Sequence, residues 1–353
     1  MKGQKRLRDY GIEIGCLKPG SLNAITDVEG VLVGHATLSR GDVRTGVTAI
    51  LPHPGNVFEE KLTAACHVIN GFGKSAGFIQ VEEMGTLETP IILTNTLSVG
   101  TSVDALTEYM LSQNSLIGLS QPTVNPLVCE CNDGYLNDIR GRHVKKEHIF
   151  EAISSASTEF EQGAAGAGTG MSCYHLKGGI GTASRLLMIG RKEYTVGVLV
   201  LTNFGILKDL MIGGIPAGGL IEGSGADAKD QGSAIIVLAT DIPLSERQLK
   251  RLAKRAPVGL ARTGSYMGSG SGELSIAFTA ANKVDIDRKH DFYTISVMDE
   301  SHMDAVFRAA AEAVEEAVLD SMLCAPAVCG RDGHVRQSLS GYMGMLIKKY
   351  KKY

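Results

Sequence analysis

Residues Gly232 to Leu244 read GSAIIVLATDIPL. From Ser233 to Thr240 the run is apolar or small and rich in β-branched residues, which reads as a buried strand. Ahead of it lies GGIPAGGLIEGSGADAKDQG, Gly213 to Gly232, a loop-like stretch whose glycines and acids carry no helix or strand period. A hydroxyl residue therefore opens a strand directly after a glycine. This junction suits an N-terminal nucleophile, because a strained, flexible loop lets the hydroxyl attack the carbonyl before it and glycine removes steric hindrance there.

Working outward, TVGVLVLT (Thr195 to Thr202), PIILTNT (Pro90 to Thr96), ELSIAFTA (Glu273 to Ala280) and FYTISVM (Phe292 to Met298) read as further strands of a large core. Ser245 and Gln248 form a capping-box pattern that opens a basic helix, with Leu249, Leu252, Ala253 and Ala256 on one face and Pro257 expected to stop it. A second helix, rich in Ala, Glu and Val, is expected from Met303 to Leu323. Strands separated by helices without strict βαβ alternation point to a layered α+β or αββα arrangement.

Two more stretches bear on the junction. In Gly268-Ser-Gly-Ser-Gly-Glu273, Ser271 and Glu273 stand two residues apart where a strand begins, so alternation turns both side chains to one face. A hydroxyl beside a carboxylate can orient and polarise a nucleophile. Upstream, Asn203 closes the strand that continues into Phe204-Gly205, and its amide is the kind of neutral donor that stabilises an oxyanion.

Bulk properties exclude several classes. A chain of 353 residues can bury a full core without disulfides or structural metals, either as two domains or as one large layered one. With 35 Lys and Arg against 38 Asp and Glu, and 44% hydrophobic residues, neither disorder nor a polyanion-binding surface is indicated, so no nucleic-acid partner is expected. No apolar run is long enough to span a membrane, and the basic start Met1 to Arg8 is followed by no apolar stretch of a secretory signal. Seven scattered cysteines fit reduced thiols, and with them the cytoplasm. Cys129 and Cys131 have no matching second pair, the histidines are dispersed without an HExxH motif, and no metal site is expected. In an extended stretch both of those sulfurs would lie on the face opposite Glu130. Gly73-Lys74-Ser75 mimics the end of a phosphate loop, but Val68 stands where the motif needs glycine. The tail KKYKKY, Lys348 to Tyr353, reads as a solvated end.

The blocks LNAITDVEGVLVGH (Leu22 to His35), DVRTGVTAILP (Asp42 to Pro52), TNTLSVG (Thr94 to Gly100), ECNDGYLNDI (Glu130 to Ile139), GAGTGMSCYHLKGGIGTASR (Gly166 to Arg185), LVLTNFG (Leu199 to Gly205) and GSAIIVLATDIPL together resemble the L-aminopeptidase/D-esterase and β-peptidyl aminopeptidase family of self-processing hydrolases. The resemblance runs nearly end to end. It implies one four-layer αββα sandwich over residues 1–353, similar to the N-terminal-nucleophile hydrolases but connected differently. It implies cleavage between Gly232 and Ser233 into associated fragments 1–232 and 233–353. By motif, the nucleophile falls on Ser233, the supporting hydroxyl and carboxylate on Ser271 and Glu273, and the oxyanion amide on Asn203. The acid receiving a substrate's free amine falls on Glu130, with Tyr135 as a neighbouring candidate and Asn95 as a lining residue. The implied activity is release of one N-terminal residue, L, D or β, from short peptides, amides or esters. No cofactor is implied, and a homo-oligomer of processed pairs is.

One block departs from that pattern. Where the family commonly reads NGxGExTG, this chain has Asn70-Gly71-Phe72-Gly73-Lys74-Ser75-Ala76-Gly77, with lysine in place of an acid and alanine in place of threonine. The exchange bears on the pocket wall or a subunit contact, and so on substrate preference. Whether the Ser233 amine or the Ser271 and Glu273 pair takes the hydroxyl proton stays open at this level. Two other readings remain: acyl transfer from the same acyl-Ser233 to an amine acceptor, and a binding protein that keeps the fold but never matures.

Overall fold

Ala234, Ile236 and Leu238 of the strand quoted above face one apolar cluster and Ile235, Val237 and Ala239 face another, and all are fully buried. A strand apolar at nearly every position must be covered on both faces. The computed structural model, which describes residues 4–221, 232–286 and 291–350, shows what covers it.

Among the described residues a six-stranded sheet runs in the order β4 (Thr86–Leu87), β3 (Glu60–Gly71), β12 (Gly272–Asp285), β11 (Ser233–Thr240), β10 (Lys192–Asn203), β9 (Ile180–Ile189). β11 is antiparallel to β10 and parallel to β12. A four-stranded sheet runs β1 (Leu32–Arg40), β2 (Val43–Leu51), β5 (Ile91–Asn95), β6 (Leu127–Cys131). Two short hairpins, β7 (Ser172–Cys173) with β8 (Leu176–Lys177) and β13 (Val328–Cys329) with β14 (Val335–Arg336), sit at the edge of these layers.

Three apolar clusters fill the spaces between four layers. The first lies between the six-stranded sheet and α4 (Glu246–Ala253), α5 (Ala256–Arg262) and α6 (Met303–Leu323), with Met343 and Leu346 of α7 (Met343–Tyr350) added. The second lies between the sheets, where Leu199, Ile235 and Ile276 meet Ile50, Leu93 and Leu127. The third packs Ala49, Ile92 and Val128 against α2 (Val99–Gln113) and α3 (Lys146–Ser154). A short helix, α1 (Phe78–Met84), flanks β3. This is the layered αββα order expected from the sequence, and strands from before and after Gly232 lie side by side in one sheet.

A charged cluster reinforces that interleaving. Fully buried Arg185 on β9 pairs with Glu312 and Glu316 of α6, while Arg6 and Arg8 pair with Asp320 and Glu316. Removing one member of such a buried set leaves an uncompensated charge.

Most expected elements form where the pattern placed them: β5, β10, β11 and β12, and α6 over the expected span. Ser245 caps α4 through the anticipated box with Gln248. Two expectations are corrected. Phe292 to Met298 forms no strand. Among the described residues no strand pairs with it, Phe292 is 89% exposed, and the backbone is held instead by the Asn282 side chain at Ser296 and by Pro243 O at Met298 N. Pro257 does not end a helix but sits in the first turn of α5, where a missing N–H costs nothing. Of the loop-like stretch, residues 213–221 carry a tight turn and one 3-10 turn, and 222–231 lie outside the described residues, as do 351–353 of the basic tail. No helix among the described residues is long and apolar enough to cross a membrane, and no group of three or more His, Cys, Asp or Glu that could hold a metal ion occurs among them.

Candidate active site

Strand register brings the predicted residues together. Asn203, the last residue of β10, pairs with Ser233, the first of β11, and Ser233 pairs in turn with Gly272 at the start of β12. The ends of three central strands thus meet at one end of the sheet. There the Ser233 hydroxyl donates to the carbonyl oxygen of Gly232 at 2.6 Å, and the Gly272 N–H donates to the same oxygen at 2.9 Å. Two donors on one carbonyl polarise it. Glycine is required at 232 by space: a Cβ there would lie 2.0 Å from the Asn203 carbonyl oxygen and 2.8 Å from Phe204 Cα.

Ser271 and Glu273 flank Gly272, both are fully buried, and the serine hydroxyl donates to Glu273 Oε1. The period-two expectation holds. Asn70 fastens the turn before them, its amide donating to the carbonyls of Gly268 at 3.2 Å, Ser269 at 3.3 Å and Ser271. The Asn203 side chain is itself fixed at both ends, Oδ1 accepting from Ser172 N at 2.9 Å and Nδ2 donating to Asn132 O at 2.9 Å. A primary amide carries two N–H donors, and that bond uses one of them.

Ser172 belongs to a hairpin whose two-residue loop, Tyr174 and His175, has φ of 50° and 58°. Left-handed backbone at two non-glycine residues costs energy and persists only where the surroundings impose it. Tyr174 supplies that constraint: it is fully buried, its N–H donates to Phe204 O at 2.7 Å and its hydroxyl meets Thr263 Oγ1 at 2.8 Å. His175 is carried to the cavity as a result. Gly205 is the counterpart, since its φ of 87° and a Cβ position 2.6 Å from the Tyr174 ring leave no room for a side chain.

On the opposite sheet, alternation along β6 points Cys129 and Cys131 into the core between the sheets and leaves Glu130 on the other face. Burial pushes both thiols well above their ordinary range. The Glu130 carboxylate accepts from Lys74 N at 2.8 Å and from the Thr96 hydroxyl, and among the described residues these hydrogen bonds hold it without an ion pair. Tyr135 is 40% exposed, stacks on His334 with ring centroids 4.6 Å apart, and lies under the guanidinium of Arg336.

One cavity of about 540 Å³ is lined by Gly232, Ser233, Asn203, Glu130 and Tyr135. Asn95 is the exception. It lies buried away from that wall, its Nδ2 donating to Thr45 Oγ1 at 2.8 Å and its Oδ1 capping Leu97 N at 3.1 Å, because the end of β5 turns into a helix that needs a cap. Its neighbour Thr96 lines the cavity instead. Lys74, the departure noted in the sequence, stands at the exposed rim with its ammonium 4.9 Å from the Phe72 ring centre.

Three features carried no sequence signal: His175, Arg336, and a buried pair behind the wall. Burial raises the Asp133 carboxyl to about 7 against the pull of its bonds to Thr45 and Asn137, and burial lowers the Lys177 ammonium to about 7. Lys177 Nζ donates to the carbonyls of Gly168, Met171 and Gly178 at 2.8, 2.9 and 2.6 Å, bracing the segment that bears Ser172.

This geometry can be set against known proteins. The model of peptidase family S58 matches residues 23–336. The chain belongs to peptidase family S58. This S58 chain is 37% identical, over 98% of its length and 93% of the relative's, to the beta-peptidyl aminopeptidase BapA of Sphingosinicella microcystinivorans. Among solved structures, it superposes on the PH0078 protein of Pyrococcus horikoshii OT3 with a TM-score of 0.95 at 51% identity, covering 99% of each chain. It superposes on the L-aminopeptidase D-Ala-esterase/amidase of Ochrobactrum anthropi, a prototype of the serine aminopeptidases with a variant of the Ntn-hydrolase fold, with a TM-score of 0.91 at 34% identity, covering 98% of this chain and 99% of that one. The S58 chain shares that variant fold, and two of these relatives, those from Sphingosinicella and Ochrobactrum, are named as aminopeptidases.

Proposed function

We propose that this chain is a self-processing serine aminopeptidase that cuts its own backbone between Gly232 and Ser233 and then releases N-terminal residues from short peptides, amides or esters. The observation that carries the reading is the pair of donors on the Gly232 carbonyl, one of them the hydroxyl that would attack it. Ser233 Oγ bonds to the Gly232 carbonyl carbon, the C–N bond breaks, and the proton passes from oxygen to nitrogen. The resulting ester is hydrolysed by water, freeing the Gly232 carboxylate and the Ser233 amine. Fragments 1–232 and 233–353 then stay together through the shared sheet and the Arg185 cluster.

In the processed enzyme the Ser233 amine is the base. An unperturbed α-amine has a pKa of about 7.7 to 8.0, so part of it is neutral near pH 7. Ser271 and Glu273, bonded to each other beside Gly272, orient it. Ser233 Oγ attacks the carbonyl of the substrate's first residue, Asn203 donates to the oxyanion, and Glu130 receives the substrate's ammonium. Tyr135 walls the same space. Water hydrolyses the acyl-Ser233 ester and regenerates the amine.

The test is Ser233→Ala, read by intact mass, N-terminal sequencing and hydrolysis of a panel of L-, D- and β-aminoacyl p-nitroanilides. The parent is expected to split, to yield a second N-terminus at Ser233 and to hydrolyse anilides; the variant is expected to stay one chain and inert. A parent that stays at 37.4 kDa and still turns over anilides would overturn the scheme, and one that neither splits nor hydrolyses would return the binding-protein reading.

A further inference from the structure

Arg336 has no part in the chemistry above, yet it lines the cavity with Ser233. It is the last residue of β14, and β14 reaches the site because the 328–336 hairpin docks on the loop that bears Tyr135. Arg331 N donates to Leu136 O at 2.8 Å, Arg331 Nε to Gly134 O at 2.8 Å, and the His334 ring bonds Tyr135 O at 2.8 Å. The guanidinium is held in a fixed plane. Its carbon lies 3.6 Å from the centre of the Tyr135 ring, and Nε donates to Ser172 Oγ at 3.1 Å. Ser172 N in turn donates to Asn203, so this cation stands two hydrogen bonds from the residue paired with Ser233.

An arginine oriented by one nitrogen and one ring face keeps its two terminal nitrogens for a ligand. Among the described residues neither terminal nitrogen has an acceptor, and no carboxylate faces the guanidinium. A planar fork of donors with a fixed orientation matches a carboxylate in bidentate fashion. Lys74 adds a second positive charge at the rim, while Glu130 is the acid in the same cavity. A cavity that carries, among the described residues, one acid and a preorganised cation fits a zwitterion, and a dipeptide, at most about 7 Å in extended length, is the shortest zwitterion with a peptide bond between its charges.

Resting on the aminopeptidase reading, we propose that Arg336 binds the free carboxylate of the leaving amino acid, so that the enzyme prefers dipeptides over the same compounds with an amidated C-terminus. A hydrogen bond to a charged group contributes roughly 1.5 to 3 kcal/mol, which is about 10- to 100-fold in binding.

The experiment compares kcat/KM of the processed enzyme for aminoacyl-alanine dipeptides and their C-terminal amides, with L, D and β first residues, and with p-nitroanilides as the activity reference. The dipeptide-to-amide ratio is expected to be about tenfold or more, carried mainly by KM. Arg336→Gln should bring the ratio close to one, and Arg336→Lys should restore part of it as a point charge without the fork. Anilide hydrolysis by the parent with a ratio of one or less overturns this inference and leaves the aminopeptidase reading standing. A preference that persists in Arg336→Gln also overturns it. No hydrolysis of any compound by a folded parent sinks the underlying reading and this one with it.

Discussion

Gly232→Ala tests whether the backbone at the cleavage point is held for reaction or only passes by. The added Cβ would sit 2.0 Å from Asn203 O, 2.9 Å from Asn203 C and 2.8 Å from Phe204 Cα, all backbone atoms of the neighbouring strand end. No side-chain rotation relieves contacts of that kind, so β10 and β11 must part by on the order of 1 Å where Asn203 pairs with Ser233. Because β11 lies between β10 and β12, a shift of that size drives the Gly232 carbonyl toward Gly272 N, closer than their 2.9 Å bond allows, and the carbonyl must turn out of line with that donor. Loss of one preorganised donor to a developing oxyanion typically slows acyl chemistry by about 10² to 10³. The expected result is an intact chain that splits about 10² to 10³ times more slowly than the parent, followed by gel and intact mass over days at one temperature. N-terminal sequencing confirms that the slow product still begins at Ser233. Splitting within about threefold of the parent rate, in a variant with an unchanged melting temperature, would refute the argument, because the carbonyl would then react without the Gly272 contact.

Asn203→Ala should lower kcat/KM for anilides by about 10² to 10³ and slow self-cleavage as well, since the same amide serves the oxyanion; activity within a few-fold of the parent would remove Asn203 from that role. Lys177→Met, made in the unsplit Ser233→Ala chain, tests the buried ammonium through stability. Its folded pKa lies near 7 and its ordinary value at 10.5, so between those values the unfolded chain binds more protons and Lys177 makes the parent gain stability as pH rises. The variant should lack that gain, up to about 1.4 kcal/mol per pH unit, when urea midpoints are compared at pH 7.5 and 9.5. Parallel slopes in the two chains would show that Lys177 is not held neutral.

What could be read from the sequence and what could not divide along a physical line. β11, β10 and α6 were legible because each carries its own period and its own ends: an unbroken apolar run, a closing Asn203, an alanine-rich stretch bounded at Met303 and Leu323. Ser271 and Glu273 were legible for the same reason, since residues two apart at the entry of a strand share a face by alternation alone. Phe292 to Met298 has apolar residues of the right kind and still forms no strand, because a strand also needs a neighbour to take its N–H and C=O groups, and no local period reveals one. Pro257 misled for a related reason: it ends a helix or begins one according to which side the chain resumes. Asn95 and Thr96 are adjacent, and only the turn at the end of β5 decides which of them caps a helix and which lines the cavity. Arg336 is the extreme case. Its place above Tyr135 depends on contacts between segments about two hundred residues apart, such as His334 with Tyr135. The residues that make and break bonds sit on strands whose register is set by local patterns, whereas the residue proposed to choose the substrate arrives from the far end of the chain on a hairpin. Its contribution can therefore change without disturbing the strand ends. Arg336→Gln should then alter substrate choice in a chain that still splits at Ser233, and a variant that fails to split would show that the hairpin belongs to the chemistry after all.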